Sequence, residues 1–287
     1  MRNTFVKTLC EIGKENKDIY VLVADIGAYL FRDFPKERFI NAGIAEQNMI
    51  SIAAGLALDG KIPFCYTIAS FITTRCYEQI KIDVCYQNLP VKIIGVGAGL
   101  CYSHEGATHH SLDDIALMNV LPNMIIYSPC SRIETEMATK CMINLHCPHY
   151  MRLPLDTNDE FVENELNLDT EIFVISTGRM VNIVNNAISG LDKVRLFKVN
   201  QLKPICGIIT EEDINRVKLV ITVEEHNVIG GLGSIISNFM TFHNCKARLI
   251  KIGVEDSFVT AYGSNEYVLE KVGLTANRIR DIINANR

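Results

Sequence analysis

Short apolar runs alternate with amphipathic stretches from one end of the chain to the other, the pattern that builds βαβ units around a parallel sheet covered on both faces. Runs rich in β-branched and aromatic residues predict strands at 20–24, 62–66, 91–95 and 124–127, with a closing strand near 150–153. Between them, 45–58 carries Met49, Ile52, Ala53, Leu56 and Ala57 at helical spacing, and 71–86 carries Cys76, Ile80, Val84 and Cys85. An acidic stretch with a broken apolar period follows, and it reads as a linker over 156–170. Beyond it EIFVIST, VRLFKV, VKLVITV and ARLIKIGV predict four more strands, interleaved with helices near 181–188, 211–216 and 233–242. The expected architecture is α/β, with two doubly wound domains of mainly parallel sheet at 1–155 and 171–287 and no internal repeat of fixed period.

Composition narrows the class without naming a function. The 287 residues are 48% hydrophobic and 21% charged, as in ordinary two-domain globular proteins. A net charge of −5 offers no overall positive field, so neither nucleic acid nor an anionic membrane is an expected partner. The ten cysteines form no C-x-x-C pair, and several sit inside apolar runs, which predicts reduced thiols and a cytoplasmic location. The first residues lack a continuous apolar h-region, and no apolar stretch reaches the length of a membrane span.

Three segments could carry chemistry. Glu46 is a lone acid at the start of an otherwise apolar helix, where it serves either as an ordinary first-turn acid or as a carboxyl tuned by its surroundings. Phe71 stands at a strand-to-helix junction with Arg75 one turn on, and ligands bind at such junctions; an aromatic there equally serves the core. GVGAGLCYSHEGATHHSLDD places His104, Glu105, His109 and His110 within seven residues. No matching Cys or His cluster occurs elsewhere, so an imidazole facing a substrate fits better than zinc, and no residue is assigned as a metal ligand. GVGAG also lacks the third glycine of a dinucleotide fingerprint.

Taken in order, VADIG (23–27), NAGIAEQNM (41–49), FITTRCYEQIKIDV (71–84), HEGATHHSLDDIALM (104–118) and VITVEEHNVIGGLGS (220–234) resemble the carboxyl-terminal half of transketolase. A wider likeness extends to 1-deoxyxylulose-5-phosphate synthase and other thiamine diphosphate enzymes. The resemblance implies a pyrimidine-binding domain followed by a smaller C-terminal α/β domain. It implies that Glu46 hydrogen-bonds pyrimidine N1′ of thiamine diphosphate, that Phe71 stacks on the pyrimidine and that His109 faces the substrate. Arg75 lies in the third block and joins the implied cofactor contacts; Asp25 matches a family acid near the cofactor or is a loop cap. Arg152 matches an arginine that meets a sugar phosphate, or else forms a surface ion pair with the acidic linker. Tyr29 and Gly97 stand where transketolases place a serine and a second histidine for that phosphate, which implies a pocket of different shape or charge. Glu224, Glu225 and His226 are expected in a structural or interface role.

The GDG-to-Asn segment that holds Mg²⁺ and the diphosphate in this family does not occur in the sequence. The resemblance therefore implies a split transketolase, completed by an N-terminal subunit that supplies the Mg²⁺ ligands, in an α₂β₂ assembly acting on sugars or sugar phosphates. The alternatives are the β chain of a 2-oxo acid dehydrogenase E1 component and a non-catalytic scaffold of the same fold.

Overall fold

The apolar runs of the first half become one sheet in the computed structural model, which describes residues 1–155, 169–205 and 208–287. β1 (Ile19–Val23), β2 (Phe39–Asn41), β3 (Ile62–Ile68), β4 (Lys92–Val96), β5 (Ile125–Tyr127) and β6 (His149–Leu153) run parallel in the order β2-β1-β3-β4-β6-β5. Every residue of the central strands β4 and β6 is buried, as expected where helices cover both faces. The covering helices are α1 (Arg2–Glu15), α2 (Glu46–Leu58), α3 (Ala69–Thr74), α4 (Tyr77–Gln79), α5 (Asp114–Asn119) and α6 (Arg132–Asn144).

The single helix expected over 71–86 is broken. α3 ends at Thr74, Cys76 leaves helical geometry, and after α4 the chain continues as a π-helical stretch, Ile80–Tyr86. Two successive threonines account for the first break, since Thr73 Oγ1 donates to Ala69 O (2.8 Å) and Thr74 Oγ1 to Ser70 O (2.5 Å). Such back-bonding competes with the backbone ladder and bends helices.

The second half holds β7 (Ile172–Ser176), β8 (Val194–Lys198), β9 (Gln201–Lys203), β10 (Leu219–Asn227) and β11 (Arg248–Val254). Four of these form a parallel sheet, β11-β10-β7-β8, covered by α7 (Met180–Ile188), α8 (Glu211–Asn215), α9 (Leu232–Phe242), α10 (Asn265–Lys271) and α11 (Ala276–Ala285). The fifth, β9, crosses over and pairs antiparallel with β5 at the edge of the first sheet. One apolar cluster accordingly runs from Ile126 and Tyr150 to Phe173, Phe197 and Leu202. The linker expected at 156–170 lies, except for its last two residues, outside the described residues. Among the described residues no helix is long and apolar enough to cross a membrane.

Candidate active site

The carboxyl ends of β1, β3 and β4, neighbours in the sheet, carry the segments singled out in the sequence. Asp25 follows β1 with φ +63°; its N–H donates to Asn41 Oδ1 (3.0 Å), and Asn41 Nδ2 donates back to Asp25 Oδ1 (3.3 Å). The exposed acid thus ties the ends of β1 and β2 together, the loop-cap arrangement.

Glu46 opens α2 with its side chain 5% exposed. Both carboxylate oxygens accept from Arg75 Nη1 at 3.2 Å, while Gln47 Nε2 donates to the Arg75 carbonyl (2.9 Å) and steadies the arginine. The Arg75 guanidinium carbon lies 3.7 Å from the Phe71 ring centroid. A flat, nitrogen-bearing cation therefore stacks on an aromatic ring and gives its N–H groups to a sheltered carboxylate. An aminopyrimidine makes the same two contacts, one to a face and one to a carboxyl. The residues present thus fit the pyrimidine end of thiamine diphosphate.

His109 stands beside this slot, its ring centroid 4.9 Å from that of Phe71. The Thr108 hydroxyl donates to Glu105 O (3.2 Å) and lies 2.9 Å from His109 Nδ1. With the hydroxyl proton committed to the carbonyl, Nδ1–H is the donor and Nε2 keeps its lone pair. On another side Tyr102 meets the imidazole edge-on, with centroids 5.8 Å apart. Sequence reading brought out Glu46, Phe71, Arg75 and His109, which the fold brings together; Tyr102 and Thr108 escaped it. Their signal was position alone, on the glycine-hinged loop leading into GATHH.

Arg152 is a correction. It is 4% exposed, and its Nε and Nη2 donate to the two oxygens of the fully buried Asp114 at 2.9 and 3.2 Å. Nη2 also reaches Ser111 O and Glu225 O, each at 3.3 Å. Tyr150 donates to the same Asp114 carboxylate at 2.6 Å. A guanidinium saturated in this way neither meets a sugar phosphate nor forms a surface ion pair. Tyr29 is 71% exposed on the turn Ala28–Phe31, within electrostatic reach of the Tyr102 phenol. His104 and Glu105 are exposed and His110 is buried; among the described residues no three His, Cys, Asp or Glu side chains gather into a metal-holding group.

Glu224, Glu225 and His226 lie at the end of β10, where the two halves meet. Glu225 pairs with Arg179 and accepts from Leu100 N (2.6 Å), reaching across to the loop after β4. Glu224 accepts from Leu232 N (2.6 Å) and Gly233 N (2.7 Å) at the start of α9; burial pushes its carboxyl up to about 7. His226 Nδ1 donates to Asn227 O (2.7 Å), and Nε2 accepts from Ala116 N of α5 (3.4 Å).

Comparison with known proteins agrees with this geometry. Residues 1–157 match the model of the transketolase pyrimidine binding domain, and residues 164–279 that of the transketolase C-terminal domain. One of the two subunits of the apulose-4-phosphate transketolase of Actinobacillus succinogenes is 33% identical, over 98% of this chain and 96% of its own. A 6-deoxy-6-sulfo-D-fructose transketolase subunit of Clostridium sp. (strain MSTE9) is 32% identical, over 97% and 92%. A solved structure described as a split gene transketolase, inactive beta4 tetramer, superposes with a TM-score of 0.85 at 33% identity, covering 99% of this chain and 97% of that one. With a carboxylate and an aromatic face framing a pyrimidine slot, and with both domain types matched along its length, the chain belongs to the transketolase family.

Proposed function

We propose that the chain is the C-terminal subunit of a split, thiamine diphosphate-dependent transketolase, which moves a two-carbon ketol unit from a ketose to an aldose. It works with a partner chain that carries the diphosphate- and Mg²⁺-binding domain, in a cytoplasmic assembly of two copies of each. The observation that carries this reading is the Glu46–Arg75–Phe71 arrangement beside His109. Relatives of nearly equal length that are themselves transketolase subunits support the division into two chains.

Bound here, thiamine diphosphate would supply a carbon acid whose conjugate base attacks a ketose carbonyl and then stores the negative charge. Glu46 would hold the pyrimidine at N1′ and pass a proton there; its low exposure keeps water from competing for that proton. Phe71 would orient the ring by stacking, and Arg75, already on that face, would complete the wall of the slot. Asp25 would border the cofactor from the end of β1. His109 Nε2, unprotonated and aimed by the Thr108 contact, would take a proton from a sugar hydroxyl and return it to the alkoxide. Tyr29 would contribute to the sugar-binding rim.

The test is turnover of the reconstituted pair with a ketose donor and an aldose acceptor. Glu46→Gln, which keeps the shape but cannot exchange the proton, is expected to lower kcat about a thousandfold. Unchanged turnover in that variant would refute the catalytic assignment, and activity with a lipoyl acceptor alone would place the chain with the 2-oxo acid dehydrogenases instead.

A further inference from the structure

Gly97 ends β4 with φ +76°, and a Cβ on it would lie 1.9 Å from Tyr102 Cε2. The Tyr102 ring therefore occupies the volume that any side chain at position 97 would need, and only glycine tolerates both the backbone angle and the approach. The same ring leans edge-on against His109. Its phenol is half-buried, burial raises its pKa so that it stays O–H at neutral pH, and it makes no hydrogen bond to any described residue. A neutral donor left without a protein partner beside an imidazole poised as a base is placed to meet a ligand.

The charges around it favour a substrate role over a structural one. Arg152 is consumed by Asp114, and Arg75 by Glu46. Arg2 and Glu105 reach the phenol with opposite sign, and the second phenol in range belongs to Tyr29. Resting on the ketol-transfer reading above, we propose that Tyr102 is a specificity-determining residue. Its ring bounds the sugar pocket over Gly97, and its hydroxyl donates a hydrogen bond to an oxygen at the far end of the substrate. That oxygen belongs to a hydroxyl or to a phosphate, and both accept from a phenol.

The experiment uses the complex reconstituted with the partner chain, a pentulose 5-phosphate and the same pentulose without phosphate. Tyr102→Phe keeps the ring and removes the donor; it is expected to lower kcat/KM about tenfold, through KM rather than kcat, the worth of one hydrogen bond to substrate. Loss confined to the phosphorylated ketose identifies a phosphate oxygen as the acceptor, and equal loss on both identifies a hydroxyl. Calorimetric titration of each ketose into the Glu46→Gln complex, where no turnover occurs, should show the same tenfold weakening on adding Tyr102→Phe. Unchanged KM and unchanged binding on both sugars, or a loss in kcat alone, would overturn the proposal. Absence of any ketol transfer by the wild-type pair would instead overturn the functional reading, and the titration would still report on Tyr102.

Discussion

The Arg75 guanidinium fills the slot between Glu46 and Phe71, so the resting chain satisfies its own sheltered carboxylate. Removing that cation leaves Glu46 buried without a partner, which costs about 1–3 kcal/mol. Arg75→Met should therefore lower the melting temperature of the isolated chain. Adding 4-amino-2-methylpyrimidine, a flat base with donors of its own, should raise the variant's melting temperature more than the wild type's. Equal shifts in the two proteins would mean that the slot does not accept an aminopyrimidine. The four central residues were legible because each sits in a short motif whose chemistry is local. Arg152 was misread because its partner is not local: Asp114 reaches it only through the placement of α5 against β6, and nothing in YMRLP announces a buried carboxylate 38 residues away.

Elements were legible where one period dominates. The all-buried runs of β3, β4, β6, β7 and β10 stood out as apolar stretches, and α2 and α9 as helical stripes. The break in 71–86 was hidden because an apolar stripe says nothing of threonine hydroxyls competing for backbone carbonyls. β9 was hidden as well: three residues with one buried side chain carry no pattern, and their strand character comes from pairing with β5. This short edge strand is locked by Lys203, whose Nζ donates to Asn119 O and Leu121 O, each at 2.6 Å, at the end of α5. Lys203→Met should destabilise the chain by about 1–3 kcal/mol, because two carbonyls lose a charged donor and the stem alone remains. Urea unfolding measures this, and a midpoint within error of wild type would show that water replaces the ammonium there.

At the scale of the molecule the two halves are joined by polar groups as well as by the shared core, and their protonation links docking to pH. Alternation of strands and helices foretold two α/β units, but it could not foretell that β9 would cross between them or that VEEH would face α5 and the loop after β4. His226 is fully buried there, and burial holds it down to about 4 against an ordinary 6.5. On acidification the unfolded chain takes up this proton first. The stability that neutral His226 contributes is thus complete above about pH 6.5 and is lost as pH falls through 4, up to about 3 kcal/mol. His149, buried in the first sheet and held at about 3, acts in the same direction, whereas Glu224, raised to about 7, loses its contribution as pH rises. The difference between wild type and His226→Asn isolates the contribution at the junction. Between pH 7 and pH 4.5 the variant's urea midpoint should fall distinctly less than the wild type's, because asparagine can still bridge Asn227 O and Ala116 N without gaining a charge. Parallel falls in both proteins would show that acid acts on the chain elsewhere than at this contact.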